Sequence, residues 1–182
     1  MAGTSANKGK NAPDTVNETQ ERPKAKKKFD LDNINLDERV TVRSLAGWTT
    51  SFNMITQAGG GIEFAPNGVQ RVTRNELSAQ VNQGNMLLTG IDGQGSHPTL
   101  YIEDEATRRY VGFEDDDRKQ FVLTDDTIKE VYNLPYEQFK ETLPHYVVTR
   151  AEKFKFVESI KRLNLDSYSK NQYAIEYSGF PM

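Results

Sequence analysis

Between Arg39 and Phe64 the apolar residues recur two apart. Val40 and Val42 share one face, then Trp48, Thr50, Phe52 and Met54, then Ile62 and Phe64. This alternation predicts three half-buried strands. Ala46-Gly47 and the run from Ala58 to Gly61 punctuate them, and Pro66-Asn67-Gly68 is a turn in which Asn67 and Gly68 can take positive φ. The period then changes. Thr73-Arg74-Asn75-Glu76 has the spacing of a capping box, with Val72 and Leu77 at the hydrophobic-staple positions, so a short helix should run to about Gln83 and stop at Gly84. Met86, Leu87 and Leu88 form an apolar run bounded by Gly90, and Leu100 and Ile102 alternate with Tyr101 and Glu103. Two more strands are therefore expected on either side of the loop from Gly90 to Pro98. Five short strands with one inserted short helix, over residues 37–113, predict a small curled β-barrel or a two-layer β-sandwich. Trp48 is expected as an anchor of that core or its half-exposed lid.

From residue 114 onward the pattern is helical, so the fold class is α+β with a C-terminal helical bundle over residues 114–182. Asp104 can cap a short helix through Arg109 that Gly112 ends, and Glu114 to Asp117 separates the two halves. Thr124 is an N-cap for a helix to Leu134, whose first turn holds Asp125 and Asp126, and Pro135 breaks it. A helix from Tyr136 to Leu143 places Phe139 and Leu143 four apart and is expected to close at Pro144. Thr149-Arg150-Ala151-Glu152 is a second capping box, opening a helix with Phe154, Val157, Ile160 and Leu163 on one side. Asp166 can cap a last helix carrying Tyr173 and Tyr177, with Gly179 as its stop.

Charge divides the chain differently. The first 28 residues hold seven Lys or Arg and three Asp or Glu, a net of +4, in a sequence whose total is −3; the remainder therefore carries −7. That segment has no aromatic residue and no Leu or Ile, so it cannot bury enough apolar surface to offset the entropy of ordering, and is expected to be a disordered-type arm. Behind it Phe29, Leu31, Ile34 and Leu36 alternate with Asp30, Asp32 and Asp37 in the manner of a docking strap. Residues 1–36 thus form an extended basic arm and strap. Extended, 28 residues reach about 90 Å. Lys24, Lys26, Lys27, Lys28, Phe29, Leu31, Ile34, Leu36 and Trp48 are the candidate partner-binding residues.

Reactive chemistry is hard to find. The chain has no cysteine, which removes disulfides, thiolate metal sites and cysteine nucleophiles together, and only two histidines, His97 and His145. The stretch from Gly90 to His97 lacks the Gly-Lys-Ser or Gly-Lys-Thr that opens the helix of a phosphate loop, and Pro98 with an apparent strand follows. Nothing in the sequence places an orienting acid or an oxyanion hole beside Ser96 and His97. The acidic run Glu114 to Asp117 lacks the spaced oxygens and glycine of a calcium loop and reads as a solvated or arginine-paired connector. No catalytic residue, metal ligand or cofactor is expected. No apolar run approaches the roughly 20 residues that span a bilayer and the first 28 residues lack a signal-peptide core, so a soluble protein of a reducing compartment is expected. Nucleic acid would be met through the basic arm if at all.

Taken in order, a basic arm, Val40-Thr41-Val42-Arg43-Ser44-Leu45, Gly61-Ile62-Glu63-Phe64-Ala65-Pro66-Asn67-Gly68, the capped helix at Thr73, Leu100-Tyr101-Ile102-Glu103-Asp104 and a helical C-terminal part resemble small virion structural proteins of tailed bacteriophages. The resemblance runs from about Arg39 onward. It implies a non-enzymatic protein localised in the virion and assembled in the host cytoplasm, with the nearest analogy an auxiliary capsid or cement protein. Its partners would be the major capsid protein or other virion subunits, with self-association among the options. A head–tail connector or portal-associated protein, and a nucleic-acid-associated regulatory protein with a basic tail, are the alternatives.

Overall fold

The computed structural model describes residues 29–182. Strand β1 (Arg39–Ser44) is the centre of a three-stranded antiparallel sheet, flanked by β4 (Val69–Thr73) and β5 (Leu100–Ile102). In its registers Val40 stands opposite Val72, and Val42 opposite both Gln70 and Ile102. A second sheet pairs β2 (Thr50–Asn53) with β3 (Gly61–Phe64). Phe52 and Phe64 from this pair join Val40, Val42, Val72, Leu77, Leu100 and Ile102 in one buried cluster. The alternation between Arg39 and Phe64 therefore predicted β1, β2 and β3 correctly.

Two expectations fail here for identifiable reasons. The sheets do not close into a barrel. Strands β3 and β4 leave the turn at Ala65–Gly68 without forming a ladder, and the Gln70 side chain bridges them by donating to the Glu63 carbonyl at 2.9 Å. Strand β4 is not among the five expected strands: of its residues only Val72 is buried, so no alternation marks it. The apolar run at Met86 is no strand either: it is the single-turn helix α2 (Met86–Thr89), started by Asn85, whose side-chain oxygen accepts from the Leu87 amide. A run that short carries no period to separate the two states, and the capping residue decides.

Helix α1 (Arg74–Asn82) begins where expected, with Thr73 accepting from the Glu76 amide. The reciprocal half of the box is absent because the Glu76 side chain is used elsewhere, as described below. Helix α3 (Glu105–Tyr110) is capped by Asp104. A second core then gathers Ile128, Val131, Tyr132, Phe139, Leu143, Phe156, Ile160 and Ala174 from α4 (Asp125–Asn133), α5 (Tyr136–Tyr146), α6 (Arg150–Arg162) and α7 (Tyr168–Ser178), with Leu123 before α4 and Val147 just after α5.

Helix α5 runs through Pro144 instead of ending before it. Proline has no amide to give the carbonyl four residues back, which is that of Lys140. The Tyr173 hydroxyl from α7 donates to that oxygen at 3.4 Å and replaces the missing donor. The start of α7 is likewise built from outside. Asp166 is not its cap; Ser167 occupies the position without a side-chain bond, and its amide donates to the Tyr132 hydroxyl at 2.9 Å.

Candidate functional site

The strap is seated on the chain's own body. The first amides of a helix lack partners within it, and in α1 two of them find partners at the end of the strap and just beyond it: Asn75 donates its amide to the Leu36 carbonyl at 2.9 Å and Arg74 to that of Glu38 at 3.0 Å. The Arg74 side chain, only 7% exposed, completes the attachment. Its guanidinium reaches the Asn35 carbonyl at 3.0 Å, the Glu38 carboxylate at 2.5 Å, the Asp104 carboxylate at 3.2 Å and the Thr107 hydroxyl at 2.9 Å. Burial alone would raise the Asp104 carboxyl, but the Thr107 hydroxyl and amide and the Arg74 guanidinium outweigh it and hold its pKa below the usual aspartate value. Phe29 lies under the Arg109 guanidinium, 5.2 Å from carbon to ring centre. Leu31, Ile34 and Leu36 are each half-buried. Of the residues expected to meet a partner, Phe29 thus contacts its own molecule and Leu31, Ile34 and Leu36 are partly covered, while Lys24, Lys26, Lys27 and Lys28 lie outside the described residues.

Trp48 lies at the seam between the two cores. Its ring meets Phe154 of α6 edge-on at 6.1 Å, and the Arg150 guanidinium stacks over it at 4.9 Å. Phe154 in turn meets Phe180 at 5.5 Å. The approach is tight at Gly47, where a β-carbon would fall 1.9 Å from the Phe154 ring. Within the helical half, Lys155 donates to the Leu123 carbonyl at 2.5 Å, and burial pushes its pKa down. The lid expected of Trp48 is therefore a contact between lobes.

The glycine-rich loop makes the other tie. Asp92 accepts from the amides of Gln94 and Ser96 at 2.8 and 3.0 Å, which curls the loop so that the space for a β-carbon at Gly90 is filled by the Ser96 carbonyl. His97 follows with a φ of 57°, a left-handed conformation that few side-chain-bearing residues adopt. Its Nδ1 lies 2.7 Å from Glu152 Oε1, and its ring packs on Phe121 at 4.6 Å. Glu152 Oε2 accepts from the amides of Val148 and Thr149, both at 2.9 Å, so the capping box of α6 is complete and its acid also holds the loop. A carboxylate-oriented imidazole is one part of a hydrolytic centre. Here no described hydroxyl bonds to the remaining ring nitrogen, and the Ser96 hydroxyl is turned to Asp92. The pair joins lobes. Sequence reasoning had no means of finding it, since 55 residues separate its members.

A third carboxylate unites β2 with α1. Glu76 is fully buried and accepts from the Ile55 and Thr56 amides, both at 2.9 Å, from the Thr56 hydroxyl at 2.6 Å and from Gln80 at 2.7 Å. Desolvation raises its pKa, but the Thr56 hydroxyl, the Ile55 amide, Gln80 and the Thr56 amide overcome that and leave it lowered. The acidic connector is arginine-paired, as one of its two expected forms had it: Arg108 with Glu114 at 3.1 Å, Arg109 with Asp116 at 2.9 Å and Arg118 with Asp115 at 4.0 Å.

Among the described residues no group of three or more His, Asp or Glu is placed to hold a metal ion, and no helix is long and apolar enough to cross a membrane. Comparison with known proteins finds no family model that matches the sequence, no matching curated protein and no solved structure that matches the fold.

Proposed function

We propose that this chain is a non-enzymatic structural protein of a tailed-phage virion, an auxiliary capsid or cement protein that attaches to the major capsid shell through its basic arm. The two small sheets are taken as the layers of a reduced sandwich in this reading. The observation that carries it is the anchorage of the strap. Arg74 and the first amides of α1 hold residues 35–38, so the +4 segment before Phe29 starts from a fixed point on an acidic body. A chain too polar to bury itself gains order from a partner's surface, and many weak copies on a symmetric lattice become strong through effective concentration. The virion setting is supported by the sequence resemblance alone.

The test follows from where the strap ends. Deleting residues 1–28 leaves the anchored part intact, whereas deleting through Leu36 would also strip α1 of the Leu36 carbonyl that accepts from the Asn75 amide, and the Arg74 guanidinium of the Asn35 carbonyl. Copy number per purified particle, measured by quantitative mass spectrometry in the natural host, is expected to fall at least about ten-fold in the 1–28 deletion. Unchanged occupancy removes the arm from the mechanism. Absence of the natural chain from particles, with salt-sensitive retention on DNA, replaces this reading with the nucleic-acid-associated one.

A further inference from the structure

We propose that the stripe of α6 beside the C-terminal residues, apolar between two exposed cations, is a docking groove for an extended acidic segment of a partner protein. Arg150, Phe154, Val157 and Lys161 recur at helical spacing along one side of α6. Phe180 and Pro181 form the opposite wall, and the space between measures about 400 Å³. Its floor is apolar and fixed, because Phe154 is held edge-on by both Trp48 and Phe180.

One cation lines the groove and a second stands beside it, over the Phe180 wall. Arg150 stands over the Trp48 and Phe180 rings at 4.9 and 5.9 Å, and Lys161 lines the far end. Neither has a carboxylate partner among the described residues, although residues 29–182 carry a net −7 and most other arginines are paired. Eleven residues of helix separate the two, about 16 Å of rise. An extended peptide climbs about 3.3 Å per residue, so carboxylates about five positions apart reach both cations. Aliphatic side chains between them then rest on Phe154, Val157 and Phe180. Glu158 is the single acid on the groove; it opposes this ligand. The chain's own basic arm is repelled by the same two cations, which leaves an acidic partner as the occupant.

This inference supplies a partner chemistry to the assembly reading and rests on it. Its test uses the isolated full-length chain, so its failure and that of the arm-truncation experiment are separately visible. The probe is a fluorescein-labelled peptide with two aspartates about five residues apart and Ile and Leu between them; a control peptide carries lysines in their place. Fluorescence anisotropy should show saturable binding of the aspartate peptide and none of the control. Lys161→Glu should weaken binding at least about ten-fold, and Glu158→Gln should tighten it two- to three-fold, roughly the size of a single rim charge. Both side chains are exposed, so neither change threatens the fold. Equal binding of both peptides, no binding, or indifference to Lys161→Glu overturns the proposal. So does concentration-dependent dimerisation of the unliganded chain that Lys161→Glu abolishes, which assigns the groove to a second copy.

Discussion

His97 and Glu152, one on a loop of the β-rich half and the other in the first turn of α6, meet at 2.7 Å across the seam between two separate hydrophobic cores. Glu152 is 3% exposed and satisfied on its other oxygen by two amides, so the histidine is its remaining partner. Replacing His97 with alanine leaves a buried carboxylate oxygen unbonded and should cost about 1–3 kcal/mol. Urea unfolding followed by the fluorescence of Trp48, which is the sole tryptophan and lies on the same seam, reads this directly. An unchanged midpoint would show that the seam does not depend on the pair.

Glu76 makes stability fall in acid. Its folded-state pKa is lowered, so its contribution is complete above the ordinary glutamate value of 4.5 and is lost as pH drops through the lower folded value. At neutral pH Glu76→Gln points an amide group at donors from Ile55 and Thr56 and should cost about 2–3 kcal/mol. The gap between variant and natural chain should narrow as the solution is acidified from about pH 6 to about pH 3. Chemical denaturation at a series of pH values checks it; a gap that widens toward acid contradicts the assignment.

Arg74→Met removes the guanidinium that gathers Asn35, Glu38, Asp104 and Thr107 while keeping much of the side chain's bulk. The loss should be about 2–4 kcal/mol, tempered by the exposure of Glu38. Its signature is local. Amide exchange at Asn75, which donates to Leu36, should accelerate, while amides in α6 stay protected.

Gly47→Ala places a methyl group in space held by the Phe154 ring, which Trp48 and Phe180 pin in place. The expected loss is about 1–3 kcal/mol, with a red shift of Trp48 emission as the ring cluster opens. Restoration by the second substitution Phe154→Leu would show that the collision is the cause.

The sequence was most readable where one local interaction decides the outcome. Thr73, Asp104, Thr124 and Thr149 each announced a helix start that the structure contains. It was least readable where a distant residue supplies what the local chain lacks. Pro144 stays inside α5 because Tyr173, 29 positions on, donates to the Lys140 carbonyl, and α7 starts on the Tyr132 hydroxyl. Glu76 has capping-box spacing, yet its carboxylate goes to a turn 20 residues earlier. Of the candidate site, the basic and apolar residues were visible from charge and alternation. The hold of Arg74 on Asn35 and Glu38, and the bond between His97 and Glu152, were not, since neither leaves a periodic trace.

The curled loop from Gly90 to His97 bears on how the protein can be labelled. Glycine-rich surface loops are the customary choice for inserting a tag, but at Gly90 and Gly95 the room for even one carbon is taken by the Ser96 carbonyl and the Phe113 ring. The tip at Gly59 has open space around it and leads only into β3. An epitope or gold-binding sequence spliced in at Gly59 would mark the molecule in an electron micrograph without loosening the joint between its halves.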